Sequence, residues 1–186
     1  MKTFSILLAL VVLLLPGCAK VKDRSALLRD IPTEQVRMEP RHTQVAGMTL
    51  RIPKGFVVEW TEEARYDKFY IYEPKDTGDV QQGMVTLDIT PDPAKLIPDT
   101  AKYERSVGKM GEHEVQWRER TVTEPPAAKL FQREMVTREL FKDAEKYNRV
   151  EGLVLHAFVV GTDSLLVERL TATVETISLV PMKPNL

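Results

Sequence analysis

Residues 153–177 read LVLHAFVVGTDSLLVERLTATVETI and join a predicted strand to a predicted helix. The first eight residues are apolar on both faces except for His156, which is typical of a central strand covered on both sides. Thr162 or Asp163 can then cap a helix. The apolar residues of that helix recur at spacings of four, four and three: Leu166, Leu170, Val174 and Ile177. Its predicted solvent side carries Glu168, Arg169 and Glu175.

The chain before this stretch contains short runs with strand character, several of which alternate apolar and polar residues with the period of a half-buried strand. These runs lie at 48–52, 56–60, 68–73, 85–90, 107–110, 113–122 and 132–141. Gly111 lies in the predicted turn of a hairpin. Short helical turns are predicted at 61–64 and 100–105. We therefore predict an α+β domain in which an antiparallel sheet is covered by the C-terminal amphipathic helix.

Residues 1–17 have the layout of a secretory signal, with Lys2 followed by about 12 mostly apolar residues. This run is too short to span a bilayer, which takes about 20 residues. Residues 15–18 (Leu-Pro-Gly-Cys) resemble the bacterial lipobox, although Pro16 is unusual at its position. Cys18 is the only cysteine of the chain, so it has no internal disulfide partner. The sequence predicts a signal peptide at 1–17 and a lipidated, palmitate-type anchor on Cys18.

Residues 18–45 are predicted to form a flexible tether, because they are mostly polar and show no sustained apolar period. One short helical turn is expected at 26–31. The globular domain is predicted to occupy residues 46–186. Ala19 stands where an aspartate commonly retains lipoproteins in the inner membrane, so in a bacterium with two membranes we expect the periplasmic face of the outer membrane.

A family resemblance is carried by the order of elements around two short motifs. Residues 52–56 (Ile-Pro-Lys-Gly-Phe) open a run of antiparallel strands, and residues 158–163 (Phe-Val-Val-Gly-Thr-Asp) lead into the C-terminal helix. Over residues 47–180 this order resembles the PsbP-like superfamily, which includes the PsbP subunit of photosystem II and bacterial periplasmic lipoproteins. The resemblance implies an α/β sandwich with a curved sheet, and docking to proteins more often than catalysis. Photosynthetic function and metal ligands do not carry over.

Residues that could support catalysis or metal binding do not converge in the sequence. Glu112 and Glu114 flank His113, but a strand directs them to the opposite face from the histidine. His156 is expected to be a hydrogen-bonded core histidine, with a proton switch as the alternative. Ser164 lacks a nucleophile motif and is expected in the first turn of the helix. We predict no catalytic residue, no metal site and no cofactor.

The aromatic run at 69–72 offers a different kind of site. Alternation places Phe69 and Ile71 on one face and Tyr70 and Tyr72 on the other, so one pair belongs to the core. The tyrosines are the candidate contact surface, unless a helix or loop covers them.

Composition limits the partners that the protein can have. The 26 basic and 27 acidic residues give a formal net charge of −1, which provides no basic surface for nucleic acid. We predict a non-enzymatic, membrane-anchored module that binds or assembles another envelope protein. The alternative is a small-ligand or metal-binding lipoprotein, or a cryptic enzyme, with a pocket between the sheet and the C-terminal helix.

Overall fold

The computed structural model describes residues 21–43, 47–63, 66–75, 82–124, 128–142 and 152–180. The strands are β1 (Thr33–Met38), β2 (Met48–Pro53), β3 (Val57–Glu63), β4 (Tyr66–Tyr72), β5 (Gly83–Thr90), β6 (Glu104–Met110), β7 (His113–Glu124), β8 (Ala128–Thr137), β9 (Val154–Gly161) and β10 (Ser178–Leu179). The α-helix α1 spans Ser164–Glu175, and two short 3-10 helices span Ser25–Leu28 and Glu139–Phe141.

The strands form two sheets. The larger sheet has the order β3-β4-β5-β9-β8-β7-β6, and the smaller has the order β1-β2-β10. Each neighbouring pair is antiparallel. The predicted α+β class and the predicted central position of β9 are confirmed, since β9 is the fourth of seven strands.

Helix α1 covers one face of the seven-stranded sheet, which we call the helix face. Asp163 caps the helix by accepting a hydrogen bond from the backbone N–H of Leu166 at 2.6 Å. Of the predicted apolar positions, Leu170, Val174 and Ile177 are buried. They share one core with the small sheet, which contributes Met38, Met48, Leu50 and Ile52, and with the large sheet, which contributes Phe69, Ile71, Val85, Leu87, Ala157 and Val159. Burial of this apolar surface is the main stabilising term for the fold.

The opposite side of the large sheet, which we call the open face, has no described helix or strand packed on it. The loop 91–103 covers only part of it, with Ile97 fully buried. At one edge of this sheet the predicted β6–β7 hairpin is confirmed, and Gly111 occupies its turn at φ 58°, a left-handed conformation that favours glycine. Val115 and Trp117 are in the core, as alternation predicted.

The predicted flexible tether at 18–45 is wrong for the described residues 21–43, which we call the N-terminal segment. Arg24 and Leu28 are buried, and β1 pairs with β2 along its whole length. The segment needs no long apolar period of its own, because β2 satisfies its backbone and the helix face buries its few inward side chains. The folded domain therefore includes residues before the predicted start at 46.

Of the three short helical turns that the sequence predicts, one is confirmed and two are wrong. The turn expected at 26–31 is confirmed as the 3-10 helix Ser25–Leu28. The helical turns at 61–64 and 100–105 are wrong, since Thr61 lies in β3 and Glu104 begins β6. Strand pairing outweighs local helical preference at both places.

The predicted signal peptide and lipid anchor precede the described part of the chain. Residues 1–17 and Cys18 lie outside the described residues. Within the described ranges, no helix combines the length and apolar character needed to cross a bilayer.

Candidate interaction surface

The register of the large sheet arranges the open face in rows that run across the strands. One row contains Val57, Tyr72, Met84, Val160, Gln132 and Arg120. The next contains Glu59, Tyr70, Thr86, Phe158, Glu134, Arg118 and Arg105. Six of the eight side chains in the β3–β4–β5–β9 half of these rows are apolar or aromatic, the exceptions being Glu59 and Thr86, and the five in the other half are polar or charged.

Six side chains of the first half form a continuous surface that we call the open-face patch: Val57, Tyr70, Tyr72, Met84, Phe158 and Val160. Each is half-buried. In contrast, Phe69 and Ile71 are buried on the helix face, so the predicted alternation is confirmed. The structure brings the two predicted tyrosines together with apolar neighbours that the sequence did not associate with them.

Charged side chains border the open-face patch. The carboxylate of Glu59 accepts a hydrogen bond from Tyr72 and raises the pKa of that phenol. The Lys68 ammonium lies 5.6 Å from the ring centroid of Tyr66 and 5.9 Å from that of Tyr70, within cation–π range. These contacts orient the tyrosine rings, which stay only partly buried.

Beside the patch, charges of alternating sign cross four strands in what we call the charge line: Lys68, Asp88, His156 and Glu134. Lys68 Nζ lies 3.8 Å from Asp88 Oδ1, and Asp88 Oδ2 lies 3.1 Å from His156 Nδ1. His156 Nε2 lies 3.0 Å from Glu134 Oε1. The backbone N–H of Leu96 donates to Glu134 at 2.6 Å. The charge line therefore fixes the loop 91–103 onto the open face.

His156 is the expected hydrogen-bonded core histidine. Burial lowers its pKa, but the hydrogen bonds and charges of Asp88 and Glu134 outweigh burial and raise the pKa to about 9. Both ring nitrogens are engaged by carboxylates, so neither is open to exchange a proton with a substrate. Glu134 is held ionised: burial raises its pKa, yet the bonds from His156 and the backbone produce a net lowering.

The other two histidines and Ser164 lie apart in space. His113 Nδ1 lies 3.8 Å from Glu139 at the solvent-exposed start of β7. His42 stacks on Trp60 with ring centroids 5.8 Å apart. Ser164 is exposed in the first turn of α1, as predicted. Among the described residues, no group of three His, Cys, Asp or Glu side chains is arranged so that it could hold a metal ion.

A second charged group lies on the helix face, and the sequence did not predict it. The Arg24 guanidinium donates to Glu168 at 2.9 Å, to Glu175 at 2.7 Å and to Glu119 at 3.0 Å. Only 2% of Arg24 is exposed. Together with Ser106 and Arg133, which also contact these carboxylates, we call this group the Arg24 cluster.

The Arg24 cluster corrects the prediction that Glu168 and Glu175 face solvent. Helix α1 directs both glutamates towards the edge of the sheet, where the buried Arg24 neutralises part of their charge. Trp117 Nε1 donates to Glu175 at 3.0 Å. The carboxylate also fits against β6 only because Gly108 has no side chain, since a Cβ there would collide with Glu175 Oε1.

The pKa values of two glutamates of the cluster are shifted in opposite directions. Burial raises the pKa of Glu175 to about 7, against the opposing effect of Arg24. Burial also acts on Glu168, but hydrogen bonds and charge from Arg133 and Arg24 outweigh it and lower the pKa to about 2. The difference follows from the number of guanidinium groups, because Glu168 contacts two and Glu175 contacts one.

A cavity of about 400 Å³ lies next to the cluster, where β7 and β8 meet the start of α1. Its walls include Tyr103, Glu119, Arg120, Phe131, Arg133 and Val167. Arg133 and Arg120 already have partners, since Arg133 binds Glu168 and Arg120 donates to Gln132 at 2.6 Å. Ser164 and Val167 of α1 line it together with residues of the sheet.

Comparison with known proteins returns no match: no family model, no curated protein and no solved structure matches this chain.

Proposed function

We propose that this protein is a membrane-anchored lipoprotein of the cell envelope that binds another envelope protein through the open-face patch, without enzymatic turnover. The observation that carries the proposal is the half-exposed aromatic and apolar surface around Tyr70 and Tyr72. Tyrosine is enriched at protein interfaces because its ring supplies apolar area and its hydroxyl supplies a hydrogen bond. A charged border on an apolar centre is the usual anatomy of such an interface.

The anchor in this proposal is Cys18. Its support is the signal-like run at 1–17 and the lipobox resemblance at 15–18. One acyl chain binds a membrane reversibly, whereas the two or three of a bacterial lipoprotein hold it stably. In a bacterium with two membranes, the proposed location is the periplasmic face of the outer membrane.

Membership of the PsbP-like superfamily is also a proposal. Its support is the antiparallel sheet that follows the motif at 52–56, together with the direct passage from β9 into α1 at 158–163. The implied mode of action, docking onto a protein complex, agrees with a contact role for the open-face patch.

Two features favour binding over catalysis. Asp88 and Glu134 occupy both nitrogens of His156, the most deeply buried histidine of the described residues. His42 and His113 lie elsewhere, one against Trp60 and the other beside Glu139. General acid–base chemistry at a histidine needs a nitrogen within reach of the substrate. In the charge line, carboxylates bind both nitrogens of His156 instead.

Crosslinking in intact cells, followed by affinity purification of the lipidated protein, tests the proposal. The test variant is Tyr70→Ser with Tyr72→Ser, and the matched control is Glu34→Ser with Gln35→Ser on exposed positions of β1. We expect one reproducible envelope partner that the tyrosine variant loses and the control keeps. Circular dichroism must show both variants folded. A partner retained by the tyrosine variant, or turnover abolished by one point change, contradicts the proposal.

A second candidate function is small-ligand binding in the 400 Å³ cavity, whose volume is within the usual range for such sites. Arg133 and Glu119 on its walls pair with each other, so the charges left among the described wall residues are Lys102 and Arg120 against Glu104, which favours an anionic compound. A thermal-shift screen of metabolites and metals discriminates, because a compound that binds the native state raises the melting temperature. Stabilisation that Arg120→Gln removes would favour this function over protein docking.

A further inference from the structure

The N-terminal segment reaches the domain at the middle of an edge strand. Val21 forms a parallel bridge with Val107, and the backbone N–H of Lys22 donates to the Val107 carbonyl at 2.7 Å. Val107 is the central residue of β6, which is the last strand of the large sheet. The chain therefore joins the fold at one defined edge.

The Arg24 cluster prevents this junction from moving along the surface. Arg24 is three residues beyond Val21 and is bound to three carboxylates and to Ser106. Detaching the segment would remove the buried guanidinium from these partly buried carboxylates and leave Glu175 without its cation, which is costly where water is largely excluded. The described chain is therefore held to the domain from Val21 onward.

The remaining link to the proposed lipid anchor is short. Cys18 precedes Val21 by three residues, which span at most about 11 Å when fully extended. In contrast, β3 lies six strand spacings from β6, or about 29 Å across the sheet. An anchor held 11 Å from β6 cannot reach a bilayer that touches the β3 edge.

We propose that the β6 edge lies against the lipid headgroups, so that the domain stands on this edge with the β3 edge pointing away from the membrane. The inference rests on the proposed lipidation of Cys18. Exposed side chains around the junction are nearly balanced in charge: Lys22, Arg105 and Lys109 against Asp23 and Glu104. The short link, and not attraction to anionic lipid, therefore sets the orientation.

This orientation specifies where the partner must bind. The open-face patch spans β3, β4, β5 and β9, and β9 and β4 lie three and five spacings from β6. The core of the patch is then held at about 14–24 Å from the headgroups. A partner that docks there has its contact region at the same height above the headgroups.

Fluorescence quenching by vesicles tests the orientation. Because the lipid occupies the only native cysteine, a cysteine introduced at an exposed position is the sole free thiol of the full lipidated chain. One fluorophore is attached at Lys109→Cys on β6 and another at Glu59→Cys on β3, both exposed. In vesicles with nitroxide-labelled headgroups, we expect quenching at Lys109→Cys to be several-fold stronger than at Glu59→Cys, with or without anionic lipid.

Two controls separate the possible failures. Inserting 20 Gly/Ser residues between Lys20 and Val21 should remove the difference, because the link then reaches either edge. Mass spectrometry reports whether the diacylglyceryl group is present on Cys18. Equal quenching at both positions of a lipidated protein overturns the orientation alone. Absence of the lipid overturns the proposed anchor, and the orientation with it.

Discussion

The Arg24 cluster lies on the helix face of the large sheet and the charge line lies on its open face, and the two are assembled differently. The charge line joins side chains on neighbouring strands, so strand register alone brings Asp88, His156 and Glu134 together. The Arg24 cluster joins the N-terminal segment to α1 and the sheet. Register therefore builds one ionic group within a single layer, whereas tertiary packing builds the other and uses it to hold separate layers together.

The largest expected effect comes from breaking the cluster that joins the layers. Arg24→Met leaves Glu119, Glu168 and Glu175 without their shared cation, and breaking a buried ion pair costs about 3–5 kcal/mol. We expect a loss of this size in the free energy of unfolding, measured by urea denaturation at pH 7. The control is Arg29→Met, an exposed arginine in the same segment, with an effect below about 0.5 kcal/mol. Equal effects of the two variants would show that the cluster does not hold the segment.

A smaller effect is expected from breaking the charge line. His156→Leu removes the donor between Asp88 and Glu134, but Lys68 and the Leu96 N–H continue to bind these carboxylates. We expect a loss of about 2–3 kcal/mol, measured in the same way. The matched control is His113→Leu at a partly exposed position, which should change stability little. If His156→Leu lost more unfolding free energy than Arg24→Met, the charge line would stabilise the fold more than the Arg24 cluster does.

The two groups should also differ in their pH dependence. The pKa of His156 is raised from 6.5 to about 9, so the folded state binds its proton more tightly than the unfolded state. Its stabilisation is complete below pH 6.5 and is lost as the pH rises through about 9. We expect wild-type stability to fall across this window and His156→Leu to show a flatter profile. Denaturation midpoints at pH 6, 7.5 and 9 measure the profiles of both proteins. Parallel profiles would contradict the attribution of this pH dependence to His156.

The smallest effect concerns Glu175 alone. Its pKa is raised from 4.5 to about 7, so its contribution is present below pH 4.5 and is lost as the pH rises through about 7. Glu175→Gln keeps an oxygen for Arg24 and Trp117 but cannot ionise. Because glutamine resembles the neutral form of the carboxyl, we expect the two proteins to differ by less than about 1 kcal/mol near pH 4.5, and the variant to become the more stable one as the pH rises through about 7. If the stability of wild type relative to Glu175→Gln instead grew with rising pH, the carboxylate would be stabilised in its charged form.

Local pattern predicted the elements that carry a clear period. Alternation identified the buried faces at Phe69 and Ile71 and at Val115 and Trp117, and the helical period identified α1. These predictions succeeded because each element buries one face of its own. The expected hydrogen bonding of His156 followed from the same argument, since a histidine in an apolar central strand needs polar partners.

Pairings between distant residues could not be predicted in this way. Arg24 lies in a polar stretch, and only Val36 and Met38 suggest the strand that follows it. Glu168 and Glu175 occupy helix positions that are polar in sequence, and polarity alone indicates solvent. Their burial depends on the tertiary approach of a guanidinium and on the space above Gly108.

Arg24 and Glu175 are separated by 151 positions in the chain. A chain that emerges from its N-terminus first, during synthesis or transport, presents Arg24 long before its acceptor exists. Closing so long a loop has a substantial entropic cost, which only the packed helix offsets. The Arg24 cluster can therefore be completed only after the last helix has been made, although strands that pair before it in the chain need not wait for it.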